Sequence, residues 1–168
     1  MNNEMSIAFK SIRLHPSGMQ FLADHGLLTA ADVALFAVAG YDGLAYAHFK
    51  PWILAGAAIL LLFLLYRYMY VTRIVYVIGD EQLKYQEGIF TETKDFIELY
   101  RVVDYSEQRS FLQILFGLKT VSIYSGDRTR PRLDMIGIDN DMDLISEIRQ
   151  RVEYNKTRRN IHEFTNTK

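Results

Sequence analysis

Residues 51–66 read Pro-Trp-Ile-Leu-Ala-Gly-Ala-Ala-Ile-Leu-Leu-Leu-Phe-Leu-Leu-Tyr, a stretch without a single charge. Continued to Tyr70 it is about 20 residues long, roughly 30 Å as a helix, which is the thickness of a hydrocarbon core. A helix of a water-soluble protein normally keeps one polar face, and residues 53–65 have none. The ends carry side chains suited to lipid headgroups: Lys50 and Trp52 before the run, Tyr66, Arg67, Tyr68, Tyr70 and Arg73 at its close. Aromatic rings settle at headgroup level, and an arginine in the last turn reaches outward past the acyl chains. Pro51 fits a first helical turn, where its missing N–H costs nothing. The run predicts a transmembrane helix over residues 51–70. The bilayer is its partner, and Trp52, Tyr66, Arg67, Tyr68 and Tyr70 are its anchoring residues.

The stretch before it, residues 29–48, reads less simply. Thr29 suits an N-cap, with Asp32 in the N3 position of a capping box and Leu28 and Val33 placed as a hydrophobic staple. Gly40 suits a C-cap. A helix over residues 30–39 would be about 15 Å long, half a bilayer, and an Asp42 inside the membrane would cost about 2.5–3.5 kcal/mol. The expectation is a short interfacial or re-entrant helix. The alternative is a second full span, forming a tight hairpin that turns near residues 48–51. Residues 1–28 read as a polar N-terminal segment, with neither a secretory-signal pattern nor a lipidation motif. Arg67, Arg73 and Lys84 follow the span closely, against Lys50 on its other side. By the positive-inside rule, the C-terminal part lies in the cytoplasm, at the inner membrane.

Composition narrows the function. A chain of 168 residues has room for one modest domain beside an anchor. A net charge of −1 argues against a nucleic-acid binder. The absence of cysteine excludes disulfides, thiol catalysis and cysteine-rich metal sites. The four histidines, His15, His25, His48 and His162, lie far apart and none has a second ligand at metal spacing. Asp139, Asp141 and Asp143 have the spacing of a calcium loop, but Gln150 stands where its bidentate glutamate belongs. They read instead as the acidic start of a helix. No glycine-rich phosphate loop or serine nucleophile motif occurs. The sequence points to a protein that is not an enzyme and has no cofactor or metal.

From Arg73 the apolar residues recur with period two, the signature of strands. Strands are expected over residues 73–78, 82–87, 89–100, 102–108, 119–125 and 132–138. Turns fall at Gly79-Asp80-Glu81, at Gly88 and in the charged loop 126–131. The polar stretch 91–95 suits a sheet edge or bent rim. Ser110 can cap a short helix over residues 111–116, closed by Gly117. Leu144, Ile145, Ile148 and Val152 form one helical stripe, acidic before it and basic after it, as the helix dipole favours. Residues 155–168 read as a basic and polar tail, whose polar end, 160–168, is expected to fray. Six or seven antiparallel strands and one amphipathic helix give an α+β class: a bent sandwich or open barrel closed by a C-terminal helix, over residues 73–154.

This part of the chain resembles the bacterial pleckstrin-homology-like domains that follow membrane helices. The resemblance lies in Tyr76-Val-Ile-Gly-Asp-Glu-Gln-Leu83, Glu87-Gly-Ile-Phe90, Ile97-Glu-Leu99, Val102-Val-Asp104 and, most tellingly, Gln108-Arg-Ser-Phe-Leu-Gln-Ile-Leu-Phe-Gly-Leu-Lys-Thr-Val121. Gly137-Ile138 stands where such domains lead into the closing helix. The resemblance covers residues 71–154. It implies two packed sheets with a C-terminal helix, often preceded by two membrane helices. It does not imply phosphoinositide binding. Lipid-binding relatives use basic residues between the first two strands, where this chain has acidic Asp80 and Glu81.

Two surfaces stand out. Residues 111–116 carry Phe111, Leu112, Ile114, Leu115 and Phe116, more apolar side chains than so short a helix can bury in one small core. Phe111, Leu112, Leu115 and Phe116 are therefore the candidate contact with a protein partner or a second copy of the chain, with the bilayer surface as a further alternative for the side chains left exposed. The alternative is an anionic membrane surface, read by Arg128 and Arg130 of the charged loop with Lys156, Arg158 and Arg159 of the basic tail.

Overall fold

The computed structural model describes residues 9–41, 47–128 and 130–159. Asp42 and the 160–168 tail, both given a reading above, lie outside them.

The chain starts with a short strand, β1 (Ile12–Leu14), and enters a long helix, α1 (Met19–Gly40). A 3-10 turn at Ala47–Phe49 leads into α2 (Lys50–Arg73), with proline in its first turn. At about 1.5 Å per residue the two helices are roughly 33 and 36 Å long. They pack side by side, with the ring of Phe21 against that of Tyr68 at 5.7 Å.

The first helix corrects the expectation of a short one. It begins eleven residues before Ala30 and runs through Thr29 without a break. Thr29 caps nothing. Its hydroxyl donates to the His25 carbonyl at 3.0 Å, the bond a threonine makes inside a helix. Nor is the N-terminal stretch merely a polar segment, since it holds β1 and the first turns of α1. Gln20, Asp24 and His25 are the polar residues of those turns. In the fold they sit at the end nearest the sheets, where they find polar partners.

Beyond α2 the chain forms β2 (Val75–Ile78), β3 (Gln82–Glu87) and β4 (Thr93–Glu98). With β1 they make an antiparallel sheet in the order β1-β2-β3-β4. The third strand is shorter than the 89–100 expected. Gly88, at φ +119°, turns the chain before it, and a 3-10 turn at Leu99–Arg101 ends it. That turn buries Leu99 and carries the chain into the second sheet, β5 (Val102–Gln108), β6 (Leu118–Ser125) and β7 (Arg132–Asp139). Helix α3 (Phe111–Leu115) interrupts β5 and β6, and α4 (Leu144–Arg158) closes the fold. The fold class is α+β, two antiparallel sheets that do not close on each other.

The core lies between the sheets. Tyr76, Ile78, Leu83 and Ile97 from the first sheet meet Val121, Ile123, Leu133 and Met135 from the second. The stripe of α4 enters as read: Leu144, Ile148 and Val152 are buried, and Asp143 caps the helix by accepting from the Ser146 N–H at 3.1 Å. Tyr76 is buried with its hydroxyl accepting from the Ile136 N–H at 3.0 Å, so one polar bond crosses the core.

Two features lock the helices to the sheets. Strand β1 precedes α1 and β2 follows α2, yet they pair directly, Arg13 opposite Val77. Gly137 of β7, at φ +66°, forms the other joint. A Cβ there would lie 2.9 Å from Cβ of Gln20 and 3.1 Å from that of Pro16. Only glycine permits both that backbone conformation and so close an approach. Its carbonyl accepts from the Ser17 N–H at 2.9 Å, fixing the chain just before α1 begins.

Candidate functional site

A polar belt surrounds the end of the helix pair nearest the sheets. Arg67 Nε donates to His25 Nε2 at 3.0 Å, Gln20 Nε2 to Asp24 Oδ1 at 2.8 Å, and the Tyr70 hydroxyl to Glu87 of β3. Tyr66 and Tyr68 are exposed at the same level, while Arg67 and Tyr70 are half-buried by these contacts. Past the belt the helices turn apolar outward: Leu27, Val33, Ile59, Leu62 and, at the far end, Trp52 are all exposed. In the most apolar stretch of each helix only 11% of the residues are buried. A core helix of a soluble protein would be covered there. Both helices are long and apolar enough to cross a membrane.

One group contradicts this apolar character. Asp32 of α1 is 3% exposed, and its Oδ1 has no hydrogen-bond partner. It borders a groove of about 610 Å³ between the helices, with Thr29, Leu61, Leu64 and Tyr68 among its walls.

The short helix α3 sits beside this belt. Its capping box is complete: Ser110 Oγ accepts from the Gln113 N–H at 3.2 Å, and Gln113 Oε1 accepts from the Ser110 N–H at 3.0 Å. The Gln113 amide then donates to Gln20 Oε1 of α1 at 2.9 Å and to Thr120 Oγ1 at 2.8 Å. Of the four side chains read as a partner contact, the structure divides two from two. Leu112 is half-buried beside Gly26 of α1, and Phe116 is half-buried at the wall of a cavity of about 520 Å³. Phe111 and Leu115 face outward at 80% and 68% exposure, joined by Ile114 at 59%.

The basic residues do not gather on one surface. Arg130 binds Asp95, lies 3.9 Å from Glu87 and stacks over the Tyr85 ring at 4.9 Å. Arg158 binds Glu81, and Arg159 lies 3.6 Å from the same carboxylate. The Arg158 guanidinium holds the Glu81 carboxyl below the ordinary carboxylate range. Glu81 and Glu87 lie at opposite ends of β3, about 20 Å apart along an extended strand. Arg128 is exposed in the loop with Arg130, and Lys156 is half-buried in the last turn of α4.

The outer face of the four-stranded sheet holds a surface that the sequence reading missed. Arg13, Val77, Lys84 and Phe96 stand opposite one another across β1, β2, β3 and β4, forming one row. Lys84 Nζ lies 5.7 Å from the centre of the Phe96 ring. Lys94, opposite Gln86, borders the same depression of about 430 Å³. Lys94 pairs with Glu92 at 3.2 Å. Among the described residues no carboxylate pairs with Arg13 or Lys84. Three cations around an exposed ring make a face suited to an acidic, partly apolar ligand.

A family model described as Bacterial PH domain matches residues 27–152, three quarters of the chain. The chain belongs to the bacterial PH domain family. The match begins inside α1 and ends inside α4, so in this bacterial PH domain the helix pair is part of the family unit along with the sheets. Among curated proteins and solved structures, none matches the chain.

Proposed function

We propose that this bacterial PH domain protein is a non-enzymatic interaction module. A two-span hairpin anchors it, its sheets lie on the cytoplasmic side, and a protein partner or a second copy docks on the outer face of the four-stranded sheet. The pairing of β1 with β2 carries the two-span reading. A strand before the first helix and a strand after the second share one sheet, so the chain must leave and return on the same side. The lengths of α1 and α2 then match two crossings of a core about 30 Å thick. The pairing also brings Lys10 and Arg13 to the side of Arg67 and Arg73, against Lys50 at the far end, which supports the cytoplasmic placement. Domains of this kind act generally as binding modules rather than catalysts, which supports the non-enzymatic reading.

The row of Arg13, Lys84 and Phe96 with Lys94 supports a partner that offers an acidic segment. The other reading, an anionic-surface sensor using the charged loop and the basic tail, would need two arginine clusters at opposite ends of β3 to meet one plane. Three of those arginines already hold carboxylates.

A photo-crosslinking side chain placed at Phe96 of the full-length protein, in its own membranes, tests the proposal. One discrete adduct is expected, with the mass of a dimer or of a defined partner. It should disappear in the Lys84→Glu, Lys94→Glu double variant and weaken at high salt. An adduct indifferent to charge reversal, or none at Phe96, contradicts the docking face.

A further inference from the structure

We infer that α3 is a lipid-facing wedge: Phe111, Ile114 and Leu115 sit in the interfacial layer of the leaflet next to the sheets and give the protein a third membrane contact. The inference rests on the two-span reading and adds to it what covers the α3 face.

The depth of α3 is fixed by what holds it. Gln113 bonds Gln20 in the first turn of α1. Leu112 packs at Gly26, where a Cβ would stand 3.9 Å from its Cδ1. The short helix therefore lies along the first two turns of α1, the level of the belt formed by Asp24, His25 and Arg67. On the two-span reading that belt is the headgroup layer, where amphipathic helices settle with one apolar face down. Phe111, Ile114 and Leu115 fall at i, i+3 and i+4, one face of a helix, and all three are exposed. Leu112, Gln113 and Phe116 take the opposite face and hold the domain. Directly past α3 on α1 come Leu27 and Leu28, exposed and apolar. The outward face of α3 is thus continuous with the surface of α1 that lipid covers. A protein partner at this spot would have to replace headgroups and acyl chains on both helices at once. The bilayer covers it as it stands.

The wedge changes what the anchor does. A hairpin alone, even locked to the sheets, leaves the whole molecule free to tilt in the bilayer. A third apolar contact, set off to one side and tied to β6 through Thr120, fixes their orientation over the membrane.

Trp52 is the chain's single tryptophan, so single-tryptophan reporters are available. In a Trp52→Phe background, Leu115→Trp is reconstituted as the full-length protein in vesicles of zwitterionic and anionic phospholipid carrying a nitroxide near the headgroup. Phe90→Trp, on the exposed β3–β4 loop, serves as the aqueous control. The expected result is nitroxide quenching and loss of acrylamide quenching for Leu115→Trp, with the reverse for Phe90→Trp. A Leu115→Trp signal quenched by acrylamide and not by lipid overturns the wedge. So does one shielded from both, which would mean a protein contact. Native Trp52, measured in the unaltered protein, separates the two levels of the argument. If Trp52 is quenched by lipid nitroxide and Leu115→Trp is not, the wedge alone fails; if neither is quenched, the two-span reading fails with it.

Discussion

The strand β6 buries six of its eight residues, whereas α2, the more apolar segment, buries three of twenty-four. In the sheets, apolar side chains are removed from water by packing on one another across the core. In the helix pair most of them point outward, and the few buried apolar positions, Phe21, Ala57, Leu64 and Val71, mark the contact with the neighbouring structure. On the two-span proposal the difference lies in the solvent: burial follows apolar character only where the surroundings are water, and the polar belt at Arg67 and His25 is where, on that proposal, the surroundings change.

That contrast can be attacked from both sides. Ile148 is fully buried under the sheets, and Ile148→Ala should cost about 2–5 kcal/mol of domain stability. Leu62, exposed on α2, should cost no more than about 0.5 kcal/mol when changed to alanine. Denaturant titrations of the two variants in detergent, followed by near-ultraviolet circular dichroism, give both numbers. Equal losses would mean that Leu62 is packed against protein. A charge sharpens the test: Leu62→Arg should weaken membrane insertion by about 2.5–3.5 kcal/mol, read as the fraction extracted by alkaline carbonate. A water-facing position would accept the arginine without change.

The joint between the regions comes next in magnitude. Gly137→Ala places a Cβ against Gln20 and Pro16 at a positive φ and should cost about 1–3 kcal/mol. The loss should appear together with faster hydrogen exchange at Ser17, whose N–H is held by Gly137. Smallest of all is the exposed pair of Glu81 with Arg158. Its carboxyl is held below the ordinary value, so its contribution is present above that value and fades as pH falls through the lowered one. Glu81→Gln should therefore shift the melting temperature slightly at neutral pH and not at all in acid. A shift that grew on acidification would reverse the sign.

How much was legible in the sequence depended on the range of the interaction. The second helix could be read because sixteen consecutive uncharged residues need no partner to declare themselves, and the α4 stripe because its period is local. The start of α1 was missed because Gln20 and His25 look wrong for an apolar helix until Gln113 and Arg67 are placed beside them. Strand β1 gave no sign at all. Three residues carry no period, and its partner β2 is more than sixty positions away. In α3 the count of apolar residues showed that some must be exposed. Only the contact with Gly26 decides that Leu112 turns in while Phe111, Ile114 and Leu115 turn out. The row of Arg13, Lys84 and Phe96 could not be read from sequence, because it exists only in the register of four strands. The resemblance carried the sheets and closing helix, and the family match extends the same unit back into α1.

The central claim is that the chain crosses the membrane twice and returns to the side it left. The chain contains no cysteine, so single cysteines can be placed by Ser11→Cys just before β1, His48→Cys between the helices and Ser146→Cys in α4. Each variant is treated with a membrane-impermeant maleimide in intact cells and again after lysis. The account predicts that the His48→Cys variant is labelled in intact cells, and that the Ser11→Cys and Ser146→Cys variants are labelled only once the membrane is opened. Labelling of the Ser11→Cys and Ser146→Cys variants from opposite sides, or of all three from one side, would contradict it.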